Sequence, residues 1–372
     1  MSDHVKLSEV CEILNSNVDK KTKENEQKVK LCNFIDVYNN WAITKYTSKK
    51  FMTATATQNE INKFSLKKGY VAITKDSETK DDIGISTYIA DNFDNVLLGY
   101  HCTLLKPNQK VLNGKFLNAY LSSFYGRKYF SNCASGSGQR YTLTIDIIKD
   151  LTIPLINIET QQKIARTLSI LDQKIENNHK INELLHTLAY KIYEYYFKYK
   201  PKNAKLEQII IENPKSNIMV KNAQKTQDKY PFFTSGDNIL SYPKAIIDGR
   251  NCFLNTGGNA GIKFYVGKAS YSTDTWCICA NEFSDYLYLL LSSIKNHINQ
   301  SFFQGTSLKH LQKNLLKKYP IYMPSVHEIK KFNQIMMPLL TLISINTRTS
   351  KKLEQIRDFL LPLLLKQQVK PK

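Results

Sequence analysis

Side chains that could perform catalysis occur throughout the chain, but their spacing matches no catalytic or metal-binding set. Cys277 and Cys279 are separated by one residue in an apolar run, so both thiols face the same side of a strand. No second Cys or His pair accompanies them, and a structural zinc site needs four ligands. The seven histidines are isolated, and the sequence contains no His-Glu-x-x-His. We therefore predict no metal site and reduced thiols at all seven cysteines.

Phosphate binding and nuclease chemistry are not favoured either. The stretch Thr256-Gly-Gly-Asn-Ala-Gly261 lies between two strand-like runs, which favours a turn over a phosphate cradle. Asp81 and Asp82 could belong to a metal-dependent nuclease, but no partner carboxylate follows at a ligand spacing, so a solvated loop is favoured. Asn213-Pro214 lacks the second proline and the aromatic residue of an amino-methyltransferase loop. We predict that the chain is not an enzyme and contains no catalytic residue.

The charge balance indicates a polyanionic partner. The sequence holds 52 Lys and Arg against 32 Asp and Glu, a formal net charge of +20 with a pI near 9.4. An alternative cause is codon bias, since 46 of the basic residues are Lys and only 6 are Arg. Codon bias accounts for the excess of Lys over Arg residues, but it does not account for the shortage of acidic residues. The charge therefore favours nucleic acid, the commonest polyanion that proteins bind.

Apolar residues make up 42% of the chain, enough for real cores, but no apolar run has the length of a membrane span. The longest runs, such as Phe359–Leu365, are far shorter than the ~20 residues that cross a bilayer. The first residues lack the apolar segment of a signal peptide. The expected location is the cytoplasm, with no membrane partner.

The order of sequence features repeats after about half of the chain. Phe116–Ser123 reads FLNAYLSS, and Tyr286–Ser293, 170 residues later, reads YLYLLLSS. A stretch rich in Gly, Ser and Gln follows each of them, then a strand-like segment that ends in Pro154 or Pro324, and then a long helical pattern. We interpret this as a duplicated unit of a globular α+β domain and a long helix.

Each long helix carries an apolar stripe in alternating steps of three and four residues, which is typical of a coiled-coil seam. The same stripe recurs 168 residues later, with polar residues at its centre in both copies. The predicted seam consists of Ile164, Leu168, Leu171, Ile175, Asn178, Leu185, Ile192, Phe332, Met336, Leu339, Ile343, Asn346, Leu353 and Leu360. Burying both stripes is simplest if the two helices pack on each other in antiparallel order.

Some helix residues depart from this pattern. Asn178 and Asn346 would lie near the middle of the pair, where they could fix the register or form a solvated gap. Pro338 removes a helical hydrogen bond and is expected to kink or break the second helix. Tyr190, Tyr193 and Tyr195 lie off the main seam and are candidate anchors for a partner protein.

Residues 153–178, IPLINIETQQKIARTLSILDQKIENN, closely resemble the helical region of specificity subunits of type I restriction-modification systems. Residues 66–84 resemble one type of first recognition domain, and residues 230–236, 257–261 and 270–274 resemble a common second one. The resemblance covers the whole chain. It implies an α+β fold of two globular α/β target-recognition domains, separated by two long conserved helices that pair as an antiparallel coiled coil in a pseudo-two-fold repeat. It divides the chain into recognition domains at 1–157 and 201–324 and spacer helices at 158–200 and 325–372.

The resemblance also implies the function and the partners. The chain would be the DNA sequence-recognition subunit of a type I restriction-modification complex, with each domain reading one half of a bipartite, asymmetric target in double-stranded DNA. Its helices would hold two methyltransferase subunits, and restriction subunits would join in a complete system. S-adenosylmethionine would belong to the methyltransferase, ATP and Mg to the restriction partner, and this chain would hold no cofactor.

Reading of bases requires donors and acceptors on loops, with Lys and Arg nearby for phosphates. The candidate DNA-binding residues in the first domain are Lys75, Ser77, Glu78, Ser137, Gln139, Arg140 and Thr142. Those in the second domain are Thr234, Ser235, Asn259, Lys263, Asp274, Thr306, Ser307 and Lys309. For each of these residues, a solvated loop position is the alternative.

Two other functions are compatible with these observations. The chain could be the recognition part of a fused methyltransferase-nuclease, in which case the isolated chain would bind S-adenosylmethionine. It could instead be a coiled-coil adaptor without DNA specificity, whose DNA affinity would be weak and equal for every sequence.

Overall fold

The computed structural model describes residues 3–136, 139–223 and 229–368. The chain forms two compact units, each with one globular domain and a part of both long helices. Unit one comprises residues 1–173 and 356–372, and unit two comprises residues 174–355.

Unit one contains two central sheets, a small three-stranded sheet and one pair of strands. Its strands are β1 (Asp3–Lys6), β2 (Cys11–Asn15), β3 (Gln27–Cys32), β4 (Ala42–Ile43), β5 (Met52–Ala56), β6 (Val71–Thr74), β7 (Asp76–Ser77), β8 (Ser86–Ile89), β9 (Val96–Leu98), β10 (Cys102–Pro107), β11 (Ser135–Gly136), β12 (Tyr141–Thr142) and β13 (Thr152–Leu155). Its helices are α1 (Leu7–Val10), α2 (Phe34–Asn39), α3 (Gln58–Phe64), α4 (Gly114–Ser122), α5 (Phe124–Cys133), α6 (Ile145–Asp150) and the start of α7 (Ile158–Tyr193). The largest sheet has the order β2-β10-β6-β8-β4, and a second sheet has the order β5-β3-β9.

Unit two is also α+β. Its strands are β14 (Ala204–Lys205), β15 (Ile211–Glu212), β16 (Tyr230–Phe233), β17 (Leu240–Tyr242), β18 (Arg250–Asn255), β19 (Ile262–Val266), β20 (Ser270–Tyr271), β21 (Thr275–Cys279), β22 (Phe303–Gln304), β23 (His310–Leu311) and β24 (Pro320–Ile321). Its helices are α8 (Val220–Ala223), α9 (Ser284–Ser293), α10 (Lys295–Ser301), α11 (Lys313–Lys317) and most of α12 (Val326–Leu365). The main sheet has the order β15-β21-β18-β19, beside the sheet β17-β16-β20.

The order of elements repeats, as the sequence predicts. In unit one, α4 and α5 are followed by the hairpin β11–β12, then α6, β13 and α7. In unit two, α9 and α10 are followed by the hairpin β22–β23, then α11, β24 and α12. In both units, the strand before the long helix pairs antiparallel with the first strand of its domain: β13 with β1 and β24 with β14. The chain is therefore a tandem duplication of one fold.

The two long helices begin with different caps. The side-chain oxygen of Asn157 accepts hydrogen bonds from the backbone of Glu159 at 2.7 Å and of Thr160 at 3.4 Å, which satisfies donors in the first turn of α7. At the start of α12, Ser325 and Glu328 form a capping box, in which the Ser325 backbone donates to the carboxylate at 2.9 Å.

The helices pair in antiparallel order within each unit. In unit two, Asn178 donates to the Ser350 hydroxyl at 3.2 Å, and Asn346 donates to the side-chain oxygen of Asn182 at 2.9 Å. In unit one, residues near the start of α7 share a core with Leu361, near the end of α12. The central polar residues are therefore hydrogen-bonded across the pair and do not form a solvated gap. The structure buries or half-buries every residue of the predicted seam.

Pro338 does not break the second helix. The helix α12 continues without interruption from Val326 to Leu365, so the expectation of a break at this position is wrong. On either side of the proline, Met336 and Leu340 are fully buried in the core of unit two. Their packing holds the chain helical despite the lost hydrogen bond, because tertiary burial outweighs the local preference.

Gln161 explains one sequence difference between the two helix starts. Its side chain is fully buried and accepts the Asn113 backbone N–H at 2.8 Å, while it donates to the carbonyls of Val111 and Ile156. The corresponding residue of the second helix, Ile329, is buried among apolar side chains. At the same position in packing, α7 therefore has a hydrogen-bonded amide and α12 has an apolar side chain.

No helix in the described ranges is long and apolar enough to cross a membrane. All seven cysteines are free thiols, and the described residues contain no group of His, Cys, Asp and Glu that could hold a metal ion.

Candidate nucleic-acid interface

A small three-stranded sheet in unit one brings two distant candidate loops together. The order is β11-β12-β7, with Tyr141 opposite Ser77 and Thr142 opposite Asp76. The neighbouring Lys75 accepts a backbone hydrogen bond from Leu143 at 2.9 Å. Residues that are about 65 positions apart in the sequence therefore share one surface.

Asp76 is the centre of a charged cluster on this surface. Its carboxylate oxygen lies 2.8 Å from Nδ1 of His101 and 3.4 Å from Nη2 of Arg140. The same guanidinium nitrogen lies 3.1 Å from Nδ1 of His101. The Asp76 side chain is only 14% exposed, whereas the Arg140 side chain is 58% exposed. The carboxylate thus holds one edge of a guanidinium that remains open to solvent.

Two lysines lie over tyrosine rings beside this cluster. The ammonium of Lys75 is 4.5 Å from the ring centre of Tyr100, and that of Lys80 is 5.5 Å from the ring centre of Tyr141. Such cation–π contacts restrain long side chains that would otherwise sample many rotamers. The surface therefore combines positive charge with aromatic rings, the combination found in nucleic-acid binding sites.

The structure places most candidates of the first domain in this region. Those on or directly beside the small sheet are Lys75, Ser77, Glu78, Gln139, Arg140 and Thr142. Ser137 lies outside the described residues. Sequence reasoning did not select Asp76, Lys80, Tyr100, His101 or Tyr141. For Tyr100 and His101, the available indication was that this polar pair interrupts the apolar run 96–105.

The Asp82 carboxylate and the Asp81 backbone carbonyl both have structural partners. Asp82 accepts hydrogen bonds from the hydroxyls of Tyr38 at 3.0 Å and Thr79 at 2.9 Å, and the Asp81 carbonyl accepts one from Arg127. These contacts hold the loop that follows β7.

In unit two, the candidate residues lie on four loops that are joined by hydrogen bonds. The glycine-rich stretch 256–261 is the loop of the hairpin β18–β19, as predicted. Its Gly258 donates to the carbonyl of Lys309, on the hairpin β22–β23, at 2.9 Å. The carbonyl of Asp274 accepts the hydroxyls of Ser235 and Thr256, the latter at 2.8 Å.

The candidates of unit two fall into an interior set and an exposed set. The ammonium of Lys263 donates to the Thr234 carbonyl at 2.9 Å and to Asn255 at 3.0 Å, and burial lowers the pKa of Lys263. Thr234 is buried and Ser235 is half-buried, so these residues hold the loops in place. The exposed candidates are Asn259, Asp274, Thr306, Ser307 and Lys309.

The tight turn of the hairpin β22–β23 requires a glycine. Gly305 has a φ of +142°, and a Cβ built on it would lie 2.4 Å from the Leu308 carbonyl oxygen. This turn presents the exposed Thr306 and Ser307 next to the loop 256–261.

The long helices carry exposed apolar residues in addition to the seam. Ile181, Leu184 and Leu188, on α7, recur at steps of three and four residues, and Leu184 is 71% exposed. Tyr195 is also exposed, but Tyr193 is only 2% exposed and packs against Phe197 and Tyr286 in the core. The prediction of Tyr193 as a partner anchor is therefore wrong, because its ring fills the interior of unit two. We call Ile181, Leu184 and Leu188 the α7 stripe.

The chain is similar to known proteins along most of its length. A family model described as "Type I restriction modification DNA specificity domain" matches residues 2–187 and again residues 202–355. The chain is 30% identical over 149 residues to the "Type I restriction enzyme HindI specificity subunit" of Haemophilus influenzae, over 40% of this chain and 32% of the relative. The matched part thus spans about a third of that relative.

Two further similarities extend over more of the chain. It is 24% identical over 341 residues to the "Type I restriction enzyme MjaIX specificity subunit" of Methanocaldococcus jannaschii, over 80% of this chain and 74% of the relative. Its fold is similar to the crystal structure of a type I restriction-modification system S subunit from M. genitalium. That match has a TM-score of 0.56 and 16% identity, and covers 98% of this chain and 96% of the other.

Proposed function

Because the chain belongs to the family of type I restriction modification DNA specificity domains, we propose that it is the DNA-recognition subunit of a type I restriction-modification complex. The observation that carries this proposal is the double match of the family model, at residues 2–187 and 202–355. Each match contains one globular domain with its own cluster of polar and basic loop residues. Each domain then reads one half of a bipartite target.

The two half-sites differ in sequence. In the first domain, the candidate surface is a small sheet with Arg140 and His101 clustered around Asp76. In the second domain, the exposed candidates are mainly amides and hydroxyls on hairpin loops, such as Asn259 and Thr306. Different donors and acceptors select different bases, so the target is asymmetric.

The proposed protein partners are two methyltransferase subunits and, in a complete system, restriction subunits. The α7 stripe supports a protein partner on the long helices, since exposed apolar residues in a row are typical of interfaces. S-adenosylmethionine is bound by the methyltransferase, and ATP with Mg by the restriction subunit. This chain contributes recognition and assembly, and holds no cofactor.

The experiment that tests this function is methylation sequencing of cells that express the chain together with its cognate methyltransferase. The expected result is one split, asymmetric motif with methylated adenine, which disappears when this chain is omitted. Methylation that persists without the chain, or that follows a palindromic motif, contradicts the proposal.

The two alternative functions predict different results with the purified chain. A fused methyltransferase-nuclease requires that the isolated chain binds S-adenosylmethionine, which calorimetry measures. An adaptor without specificity requires equal affinity for any duplex, which competition between the motif and a scrambled duplex measures. The proposed function predicts no binding of S-adenosylmethionine, and preference for the motif in the assembled complex.

A further inference from the structure

Arg140 is held in a way that suits the reading of one particular base. Its Nη2 lies 3.4 Å from the Asp76 carboxylate and 3.1 Å from His101, and the rest of the side chain is exposed. A guanidinium has five N–H donors. Toward the residues that the structure describes, Nε and Nη1 of Arg140 form no hydrogen bond. Oδ2 of Asp76 and Nδ1 of His101 lie 2.8 Å apart, so both face the same N–H of Nη2. The second N–H of Nη2 and the parallel N–H on that edge of the guanidinium form a planar pair of donors that is free to bind.

We infer that Arg140, positioned by Asp76 and His101, reads a guanine in the major groove of the first half-site. This inference rests on the proposed DNA-recognition function and adds the base that the site reads. Guanine presents two adjacent acceptors, O6 and N7, which match two parallel N–H donors. Adenine presents an acceptor beside a donor, and cytosine presents a donor, so neither matches a guanidinium.

The contacts of Asp76 distinguish base reading from binding of a phosphate. A phosphate needs positive charge, which a free lysine supplies, and a carboxylate beside the guanidinium weakens that attraction. The same carboxylate restricts rotation of the guanidinium, which improves bidentate recognition. Asp76 itself is largely buried, and its Oδ2 lies 2.8 Å from Nδ1 of His101 and 3.4 Å from Nη2 of Arg140, so it is not an open acceptor for cytosine.

The lysines beside the cluster supply the phosphate contacts. Lys75 directly precedes Asp76, and Lys80 lies over Tyr141, which directly follows Arg140. Phosphate contacts on both sides of a base-reading side chain fix its height and register on the duplex. The site therefore contains both parts of a recognition surface: the reader and the groups that position it.

The first test is methylation sequencing with the variants Arg140→Ala, Arg140→Lys and Lys110→Ala. For the wild type, we expect a guanine in the first half-site. For Arg140→Ala, that position alone becomes degenerate, and Arg140→Lys restores part of the preference. Lys110 is an exposed loop lysine of the same domain, so its variant serves as a charge control and keeps the motif. The inference is overturned if the methylated motif is unchanged in Arg140→Ala. It is also overturned if the position that becomes degenerate is an A·T pair.

The second test measures affinity, in case Arg140→Ala abolishes methylation in cells. The purified complex with its methyltransferase is titrated with duplexes that carry each base pair in turn at the guanine position. Replacing the guanine should weaken wild-type binding about 10- to 100-fold. Arg140→Ala should bind the duplexes with all four base pairs with about the same affinity. If Arg140→Ala instead binds every duplex more weakly by the same factor and keeps the preference for guanine, Arg140 contacts a phosphate and the inference is overturned.

Two modified bases test which atoms of the guanine Arg140 contacts. 7-Deazaguanine lacks the N7 acceptor and should weaken the wild type several-fold but leave Arg140→Ala unchanged, whereas inosine keeps O6 and N7 and should bind normally. If inosine binds as poorly as adenine, the contact is not in the major groove and the inference fails. A split methylation motif without any guanine in the first half-site overturns this inference but leaves the proposed function intact. The absence of any motif refutes both.

Discussion

The ammonium of Lys115, on α4, lies 2.8 Å from a carboxylate oxygen of Asp172, on α7, and both side chains are largely buried. Lys115 also donates to the Ser169 hydroxyl at 2.9 Å. From α12, the guanidinium of Arg357 approaches the second oxygen of Asp172 at 3.7 Å and lies 4.3 Å from the ring centre of Trp41. This network joins the globular part of unit one to both long helices.

Replacing Asp172 by Ala should strongly destabilise unit one. The substitution leaves the ammonium of Lys115 and the guanidinium of Arg357 without their shared carboxylate in a buried environment, at a cost of about 3 kcal/mol. Urea unfolding followed by far-UV circular dichroism measures the change. The matched control is Asp146→Ala, whose side chain is 81% exposed beside Lys149 and should change stability by less than about 0.5 kcal/mol. Equal stability of both variants would show that the buried network contributes little.

The polar residues at the centre of the helix pair should fix the register of the two helices rather than stabilise the pair. Replacing Asn182 alone by Leu leaves the amide of Asn346 without its partner and should cost about 1–2 kcal/mol. Replacing both residues by Leu removes both polar groups and should be neutral or stabilising. Thermal unfolding of the two single variants and the double variant, analysed as a double-mutant cycle, gives the coupling energy. Additive effects would indicate that water already satisfies both amides.

The order of elements and the antiparallel helix pair could be predicted because they depend on local periodicity. The stripe from Ile164 onward and its copy from Phe332 onward are visible in the sequence, and burial of an apolar stripe needs a partner. The break expected at Pro338 was wrong because local preference was outweighed by burial of Met336 and Leu340.

Only part of the Asp76 cluster could be predicted from the sequence. Arg140 could be chosen as an arginine on a polar loop, but His101 and Asp76 become neighbours through pairing of β10 with β6, a contact between distant strands. Strand register is set by the whole sheet. Likewise, the burial of Tyr193 depends on Tyr286, which is 93 residues further along the chain.

The cap of α12 should make stability sensitive to acid. The backbone N–H of Ser325 holds the pKa of Glu328 below its ordinary value of 4.5, and the Tyr322 and Ser325 hydroxyls add to this effect. The stabilisation is present above pH 4.5, and is lost as the pH falls through the lower pKa of the folded state. Glu328→Gln should therefore lose less stability than the wild type between neutral pH and acid. Urea midpoints from pH 7 to 3 measure this.

The control for the acid experiment is Glu159→Gln, which removes the same charge from the first turn of α7. Its urea midpoint should fall with acid as in the wild type. If Glu328→Gln also follows the wild-type curve, the carboxylate of the cap does not contribute to the acid sensitivity.

Thiol alkylation at pH 8 should separate the cysteines into two groups. Only thiolates react quickly, and burial raises the pKa of Cys11 to about 12. Burial also raises the pKa of Cys32, Cys102, Cys252 and Cys277. Mass spectrometry after brief treatment with iodoacetamide should find label on the half-buried Cys133 and Cys279 first. Rapid labelling of Cys32 in the native protein would contradict the described burial.

Assembly with the methyltransferase should depend on the α7 stripe. Leu184 is 71% exposed, so Leu184→Glu should leave the unfolding temperature nearly unchanged while it places a charge in the proposed interface. If the stripe is the contact, burial of that carboxylate should weaken assembly by about 2 kcal/mol, roughly thirty-fold. Size-exclusion chromatography and titration of the purified chain with its cognate methyltransferase measure the loss.

The matched control for this substitution is His179→Glu, an exposed position five residues earlier that lies on another side of α7. It adds the same side chain to the same helix, so a general effect of charge or of helix propensity would appear in both variants. We expect His179→Glu to assemble like the wild type and Leu184→Glu to elute alone. Normal assembly of Leu184→Glu would place the methyltransferase on another surface, because burial of an unpaired carboxylate in the interface should weaken assembly measurably.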